Sequence, residues 1–318
     1  MEVVRTWQGL PDALRGASVA LGNFDGVHLG HAHVLRCAHG ARPDAKLAVL
    51  TFEPHPRELF RPEDPPFRLT LQAERTAALA ALGVQVLYEM PFDAAFTALT
   101  AEAFVTDVLH RGIGAAHLTC GPDFAFGHRR GGDAGFLAAR AESLGIGLTV
   151  TPALVEGGAP ISSTRIRRLL QDGYPERAAL ELGRPWAVRG PVTHGDARGR
   201  TIGFPTANVP LGRHLEPARG VYAITARMPD GAQVPGVANI GRRPTVAEGA
   251  ISRVEAHLFD WSGDLYDQEV AIALHTFLRA ERKFASFDEL RGQIVTDAEQ
   301  AREVLAVPPS SGKRSSQG

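Results

Sequence analysis

The stretch GNFDGVHLGH, residues 22–31, brings two imidazoles together in a turn that contains glycines and an acid. His28 and His31 stand three positions apart, shortly after an apolar run at 18–21. Such a run is typical of a buried strand, and the turn after the first strand of an open α/β sheet is a common ligand site. The histidines are therefore the first candidates for chemistry in this chain.

Three interpretations of the histidine pair are open. Gly26 and Gly30 allow close backbone approach, and a helix that begins near the histidines would direct its N-terminal amides to the same place. In the first interpretation, the imidazoles hydrogen-bond phosphate oxygens and stabilise charge on a pentavalent phosphorus. In the second they bind a metal, with His33 or His55 as a third ligand. In the third they are a surface pair without function.

A second glycine-rich stretch, GPVTHGDARGRTIGFPTANVP at 190–210, indicates another anion site. Thr206 and Asn208 offer oxygen ligands suited to a hard cation such as Mg²⁺. The glycines that free successive amides to form a concave nest are Gly195, Gly199 and Gly203. The chain has no GxxxxGK[ST] loop and no GxGxxG after a strand, which argues against a Walker A site and against an NAD-dependent dehydrogenase.

A carboxylate that could take a proton from an attacking hydroxyl lies in VEAHLFD, at Glu255. From the residues alone, an ordinary solvent-facing position on a predicted strand is the more frequent role of such a glutamate. The interpretation of Glu255 as a base therefore depends on further evidence.

The first half of the chain alternates short apolar runs with segments rich in alanine and leucine. The predicted strands are ASVALG, KLAVLTF, VQVLYEM, AAHLTCG and GLTVTPAL. The predicted helices are HAHVLRCAHG, LQAERTAALAALG, AEAFVTDVLHRG and DAGFLAARAESLG, several of which end at glycine. Alternation at this spacing predicts a parallel sheet with helices on both faces.

The second half has a different pattern. Two helices are predicted first, SSTRIRRLLQDG with Ser162 or Ser163 as N-cap, and YPERAALELG. The strand-like runs WAVRGPV, GVYAITARM, AQVPGVANIG, RVEAHLFD and VAIALHTFLR follow, separated by Gly, Pro and Asp turns, and predict an antiparallel barrel or sandwich. Residues 286–306 predict an amphipathic helix, and 307–318 a polar, disordered tail.

Length and composition limit the function. A chain of 318 residues exceeds the usual size of one domain, so two domains are expected. A net charge of −1 and a pI near 6.9 argue against a broad surface for nucleic acid or anionic membrane. Cys37 and Cys120 offer neither a disulfide framework nor metal-ligand spacing, and the apolar pattern leads us to expect neither a signal peptide nor a membrane-spanning helix. These features predict a cytoplasmic protein without nucleic-acid or membrane partners.

The histidine stretch resembles the H-x-G-H motif of nucleotidyltransferases, in the form found in the bifunctional riboflavin kinase/FMN adenylyltransferase family, the prokaryotic FAD synthetases. Four more stretches resemble that family in order: TFEPHP (51–56), GPDFAFG (121–127), ISSTRIR (161–167) and HGDARGRTIGFPTAN (194–208). Each also has a structural interpretation, as a strand end, a turn, a capped basic helix or a loop. Five blocks in family order make the resemblance specific.

For the first half, the resemblance implies a Rossmann-like α/β nucleotidyltransferase domain at 1–184 that transfers AMP from ATP to FMN. His28 and His31 would be catalytic, through contacts with the ATP phosphates. The other ATP-binding residues that it implies are Gly22, Asn23, Phe24, Asp25, Asp123, Ser163, Thr164 and Arg165.

For the second half, the resemblance implies an antiparallel β-barrel riboflavin kinase domain with a C-terminal helix at 185–306. Glu255 matches the base that activates the flavin 5′-hydroxyl, and Thr206 and Asn208 would bind Mg²⁺. The ATP phosphates would be bound by Gly195, Gly199, Arg200, Gly203 and Pro205. The stretches GVY, NIGRRPT, DLY and FLRAERKF also resemble kinase blocks.

The expected enzyme converts riboflavin and ATP to FMN, and FMN and ATP to FAD and pyrophosphate, with Mg²⁺ required. Its expected partners are flavins and ATP, and its expected state is a monomer or weak homo-oligomer. Val246 and Asp267 depart from the family pattern without removing a proposed catalytic group. Two alternatives remain. One is a related adenylyltransferase whose β-rich half binds RNA or protein, and the other is a metal hydrolase built on His28, His31, His33 and Asp25.

Overall fold

The computed structural model describes residues 1–194, 206–242 and 252–306. The chain divides into two compact units, one over Met1–Ser163 and the other from Thr164 onward. The domain boundary at 184/185 remains a prediction, and the predicted tail at 307–318 lies outside the described residues.

The first unit is built on a parallel sheet. Its strands are β1 (Glu2–Val4), β2 (Ser18–Leu21), β3 (Leu47–Glu53), β4 (Val86–Pro91), β5 (His117–Cys120) and β6 (Gly147–Val150). Every neighbouring pair is parallel, in the order β1-β4-β3-β2-β5-β6. This confirms the predicted parallel sheet and adds β1, which is too short to show an apolar pattern. A small antiparallel hairpin follows, β7 (Val155–Glu156) and β8 (Ala159–Pro160).

The helices of the first unit lie between these strands. They are α1 (Leu29–Ala41), α2 (Pro56–Phe60), α3 (Gln72–Ala81), α4 (Ala94–Thr97), α5 (Ala101–Ala103) and α6 (Ala134–Ser143). The predicted helix at 101–112 continues after α5 as a π-helix, Phe104–Gly112. Apolar spacing does not reveal this difference, because Phe104, Val108 and Gly112 are buried on one face in the π-helix as they would be in an α-helix.

Both faces of the sheet are covered. On the central strands, alternate residues enter two separate cores, as a pleated strand requires. One core joins Val19, Leu21, Leu50 and Tyr88 to the π-helix and α6 through residues such as Phe104, Leu109 and Leu137. The other joins Ala20, Val49 and Leu87 to α1 and α3 through Leu35, Ala38 and Leu79. The prediction of helices on both faces is confirmed.

Two buried arginines tie the strand ends to α3. The Arg75 Nη2 atom lies 2.8 Å from Glu53 Oε2 and 3.0 Å from Glu89 Oε1. The Arg68 Nη2 atom lies 2.7 Å from both Glu53 Oε1 and Glu58 Oε2. Burying such charges is tolerable only because each has an opposite charge and hydrogen bonds. The carboxyl ends of β3 and β4 are thereby bound to the segment that leads into α3.

The second unit contains an antiparallel barrel. Its strands are β9 (Trp186–Pro191), β10 (Ala207–Pro210), β11 (Gly220–Arg227), β12 (Gln233–Arg242), β13 (Ser252–Leu258) and β14 (Glu269–Ala280). All neighbours are antiparallel, in the order β10-β13-β12-β11-β14-β9. The Thr193 amide donates to the Asn208 carbonyl at 2.8 Å, so the chain after β9 meets β10 and the sheet is nearly closed. The barrel prediction is confirmed.

Three helices complete the second part of the chain: α7 (Ser163–Gln171), α8 (Pro175–Leu182) and α9 (Phe287–Val304). Helix α9 confirms the predicted C-terminal helix, and its Ala301 packs with Val221, Ala223 and Val237 of the barrel. The buried Asp297 of α9 also accepts from Arg279 of β14, with Nη2 and Oδ2 2.7 Å apart. Among the described residues, no helix combines the length and apolarity needed to cross a membrane.

Replacing Arg75 by methionine is expected to lower the free energy of unfolding of the first unit by about 3 kcal/mol, because it removes one partner of the buried Glu89 and of the half-buried Glu53. Urea unfolding of the full chain, with local hydrogen exchange to assign the transition, measures this. Arg42→Ala is the control, since its pair with Asp44 is exposed and 3.4 Å long. Equal midpoints for the two variants would contradict the prediction.

Candidate functional site

The strand order of the first sheet creates one place where two loops diverge. The chain proceeds from β2 to β3 and β4 on one side, and returns to β5 and β6 on the other side. Because β2 and β5 are parallel neighbours, the loops after Leu21 and Cys120 leave the same sheet edge side by side. Ligands of open α/β sheets bind at such a point. The stretches GNFDGVHLGH and GPDFAFG are therefore brought together here.

The loop after β2 has a strained backbone. Phe24, Gly26 and Val27 have φ angles of 52°, 85° and 43°. Positive φ is ordinary for glycine but costly for a β-branched valine, so surrounding contacts must hold the turn in place.

The buried Asp25 supplies such contacts. Its carboxylate accepts from the amides of Leu69 and Thr70, each 3.0 Å from Oδ1. The Gly26 amide donates to the Thr70 hydroxyl at 2.9 Å. Residues more than forty positions apart are thus joined by charge-assisted hydrogen bonds. Asp25 therefore shapes the loop through its buried carboxylate.

His28 and His31 form a reciprocal cap at the start of α1. The His31 amide donates to His28 Nδ1 at 3.2 Å, and the His28 amide donates to His31 Nδ1 at 3.3 Å. The two rings are stacked, with centroids 3.6 Å apart and planes 16° from parallel. Each imidazole thus replaces a side chain of an ordinary capping box.

This cap decides which nitrogen carries the proton in each ring. A neutral imidazole has one acceptor nitrogen and one N–H, and both Nδ1 atoms accept from amides here. The hydrogen bonds therefore assign the proton to Nε2 in both His28 and His31. Two parallel N–H donors stand at the N-terminus of a helix, where the helix dipole favours negative charge.

Gly30 leaves room for the packing of this cap. A Cβ atom at Gly30 would lie 3.0 Å from Cε1 and Nδ1 of His28 and 3.4 Å from the Ile161 carbonyl oxygen. A side chain at this position would require the His28 ring to move by a few tenths of an ångström. The glycine therefore favours the close stacking of the two histidines.

The other predicted residues of the loop contribute in different ways. Asn23 is exposed, and its carbonyl accepts from the Thr51 hydroxyl at 3.0 Å. Phe24 is buried, with its ring 4.8 Å from that of His31, so its side chain supports the histidine. Gly22 lies over the Phe24 ring, where a Cβ atom would approach to 3.3 Å.

Residues from two more blocks lie beside this loop. Asp123 is exposed in the neighbouring loop after β5. Burial, with the Asp123 carboxylate adding to it, raises the pKa of Cys120 to about 11, so this thiol is protonated at neutral pH. The Ser163 hydroxyl donates to the Asp25 carbonyl at 2.9 Å, which connects ISSTRIR to the histidine loop.

The rest of the ISSTRIR block continues along α7. Thr164 and Arg165 are its next residues, and the Arg165 Nε atom lies 2.8 Å from Oε1 of the buried Glu181. Arg167 follows Ser163 by four positions and so shares its face of the helix. Arg167 is not among the residues that the family resemblance implied, although its spacing from Ser163 is visible in the sequence.

In the barrel, strand register brings the kinase candidates together. Asn208 of β10 lies directly opposite Glu255 of β13, and Glu255 lies directly opposite Asn239 of β12. Directly opposed residues point to the same face, so the three side chains form one polar row. Asn239 was missed because nothing in the sequence shows strand register.

Among the described residues the metal candidates are limited. No group of three or more His, Cys, Asp and Glu side chains there could hold a metal ion. His33 instead lies 3.9 Å from the Cys37 sulfur, and His55 caps α2 by accepting from the Arg57 amide at 3.1 Å. The phosphate-binding candidates Gly195, Gly199, Arg200, Gly203 and Pro205, and Val246 of the kinase block, lie outside the described residues.

Comparison with known families matches both units. A family model described as FAD synthetase matches residues 10–165, and one described as riboflavin kinase matches residues 182–305. The two matches follow each other along the chain without overlap and cover most of it.

Similar proteins carry both names. The bifunctional riboflavin kinase/FMN adenylyltransferase of Escherichia coli (strain K12) is 42% identical over 310 residues, which cover 96% of this chain and 99% of that protein. The protein of the same name from Bacillus subtilis (strain 168) is 37% identical over 289 residues, covering 89% and 90%. A crystal structure described as a macrolide-efflux protein from Streptococcus pneumoniae is 32% identical, with a TM-score of 0.84, and covers 94% of this chain and 98% of its own. The efflux description applies to that protein.

Asp25→Asn is expected to lower the free energy of unfolding by about 1.5–3 kcal/mol, because an amide accepts backbone N–H bonds less strongly than a carboxylate. Hydrogen exchange of the Leu69 and Thr70 amides should accelerate in this variant. The control is Asp123→Asn, since Asp123 is exposed. Unchanged protection of both amides would count against the role given to Asp25.

Proposed function

The chain belongs to the bifunctional riboflavin kinase/FMN adenylyltransferase family, and we propose how its residues divide the two reactions of that family. The enzyme phosphorylates riboflavin with ATP to give FMN, and adenylylates FMN with a second ATP to give FAD and pyrophosphate. Membership of this family argues against both alternatives, a metal hydrolase and a β-rich half without catalytic activity. The observation that carries the proposal is the reciprocal cap of His28 and His31.

The first unit is assigned to adenylyl transfer. An FMN phosphate oxygen attacks the α-phosphorus of ATP, the bond to the β-phosphate breaks, and pyrophosphate leaves. Negative charge grows on the phosphate oxygens in the transition state, where fixed donors are most effective. The Nε2–H groups of His28 and His31 would donate to these oxygens while their Nδ1 atoms remain bound to the backbone.

The neighbouring residues would bind the rest of the nucleotide. Gly22, Asn23, Phe24 and Asp25 would offer the loop backbone to ATP, because the side chains of Phe24 and Asp25 are buried. Asp123 would face the nucleotide from the adjacent loop. Ser163, Thr164 and Arg165 would contact the triphosphate from the start of α7, and for Arg165 this contact must compete with Glu181.

The barrel is assigned to the kinase reaction. Glu255 would take the proton from the 5′-hydroxyl of riboflavin as its oxygen attacks the γ-phosphorus, and ADP would leave. The register supports this role, since it sets Glu255 beside Asn208 on one face. Gly195, Gly199, Arg200, Gly203 and Pro205 would bind the ATP phosphates in this reaction.

The metal required by this reaction would be Mg²⁺, held by Thr206 and Asn208. The donors suit it: they are neutral oxygens, and Asn208 Nδ2 lies 3.5 Å from the Thr206 carbonyl, which directs the amide oxygen away from that group. Bound there with ATP, Mg²⁺ would neutralise charge on the phosphates. A cytoplasmic location and a monomeric or weakly oligomeric state remain predictions.

The division of labour can be tested with one chromatographic assay of flavins over time. His28→Ala or His31→Ala should lower FAD formation by about 100-fold or more, because each removes a transition-state donor, and should leave FMN formation intact. Glu255→Gln should lower FMN formation from riboflavin by about 100-fold or more through loss of the base, and should leave FAD formation from supplied FMN intact. Product ratios equal to wild type in any of these variants would contradict the assignment.

Gly30→Ala should lower the rate of FAD formation by about 3- to 10-fold, since the new methyl group pushes the His28 ring, and with it the Nε2 donor, by a few tenths of an ångström. Gly40→Ala in the same helix is the matched control, because no atom lies within 4 Å of a Cβ atom there. If both variants retain wild-type rates, the steric role of Gly30 is wrong.

A further inference from the structure

The buried Thr70 stands directly against the histidine loop, although it lies over forty positions away in sequence. We propose that Thr70 is a positioning residue for adenylyl transfer, whose hydroxyl holds the backbone turn that sets His28 and His31 in place. This inference rests on the proposed function of the histidines. Thr70 touches no reacting atom in the proposal and acts through the loop.

The Thr70 hydroxyl has two defined neighbours. It accepts from the Gly26 amide at 2.9 Å, and it lies 3.4 Å from Oδ1 of Asp25, toward which its own proton can point. The Thr70 amide donates to the same Oδ1 at 3.0 Å. One residue therefore contacts two consecutive positions of the loop through both its backbone and its side chain.

These contacts lie next to the strained part of the loop. Gly26 and Val27 have φ angles of 85° and 43°, and His28 follows at once as the cap of α1. A non-glycine residue in this region persists only where surrounding groups determine its conformation. The Gly26 amide is oriented by the Thr70 hydroxyl immediately before the strained Val27, so this bond fixes the direction in which the chain enters the histidine cap.

Thr70 is itself held firmly. Arg68, two positions before it, binds Glu53 and Glu58 at 2.7 Å, and Arg75, five positions after it, binds Glu53 and Glu89. Both guanidinium groups are buried. The segment that carries Thr70 is therefore anchored to the sheet by ion pairs, and from there Thr70 can define the position of the loop.

The expected effect is on the rate of one reaction. A displacement of about 1 Å in the catalytic groups can cost about 100-fold in rate, whereas ground-state binding of ATP uses several other contacts. Loss of the Thr70 hydroxyl should therefore lower kcat for FAD formation by about 10- to 100-fold and change the KM for ATP by much less. FMN formation in the barrel should be unaffected.

Two substitutions separate the hydroxyl from the packing. Thr70→Val keeps the shape of the side chain and removes the hydroxyl, and Thr70→Ser keeps the hydroxyl and removes a methyl group. Thr76→Val is the matched control, since that hydroxyl bonds only within α3, to the Gln72 carbonyl at 2.8 Å. His28→Ala in the same series tests the proposed function on its own. All four are assayed in the full chain with riboflavin, FMN, ATP and Mg²⁺.

The inference expects a kcat loss in Thr70→Val, near-wild-type rates in Thr70→Ser and Thr76→Val, and normal FMN formation in every one of these three. The inference is overturned if Thr70→Val forms FAD at the wild-type rate, or if Thr70→Ser loses as much activity as Thr70→Val. In either case a rate loss in His28→Ala would still support the proposed function. Undiminished FAD formation in His28→Ala would overturn both. Should Thr70→Val fail to fold, Thr70→Ala takes its place, and rescue by serine decides in the same way.

Discussion

The carboxylate of Asp25, bound to the amides of Leu69 and Thr70, is the interaction on which the first site depends. It closes a loop whose backbone is strained at Phe24 and Val27, and it does so inside the protein, where an unpaired carboxylate would be costly. Both are tolerated because the same hydrogen bonds stabilise the buried charge and hold the strained turn in place. The cap of α1 comes directly after this loop along the chain. The position of the cap and the orientation of both imidazoles therefore depend on this contact.

The two units position their candidate catalytic groups by different means. In the parallel sheet, side chains come from loops at the carboxyl ends of β2 and β5, which the strand order places side by side. In the barrel, candidates come from the strands themselves, because the register aligns Asn208, Glu255 and Asn239. Both arrangements suit reactions at phosphorus, in which positioning and electrostatics supply most of the catalysis.

Sequence pattern predicted much of the fold, and its failures have physical causes. Five strands and four helical segments of the first unit follow from apolar runs and periodicity, whereas the short helices α2 and α4 were not predicted. Strand β1 spans only three residues, and the apolar pattern of β10, ANVP, is interrupted by an asparagine and a proline. The π-helix at Phe104–Gly112 was predicted as an α-helix because both bury the same residues. Arg165 and Arg167 belong to one motif, so the sequence does not distinguish their environments. Only tertiary contacts, such as that between Arg165 and Glu181, do so.

The sequence by itself determined the two-part organisation, the family and the identity of the candidate groups, because these depend on residue types and on spacing along the chain. The tertiary structure alone decided how those groups are oriented. The tautomers of His28 and His31 depend on two amide donors, and the position of their loop depends on Thr70 and Asp25. Contacts between residues distant in the chain carry no signal in one sequence, since nothing local requires Thr70 to meet Gly26.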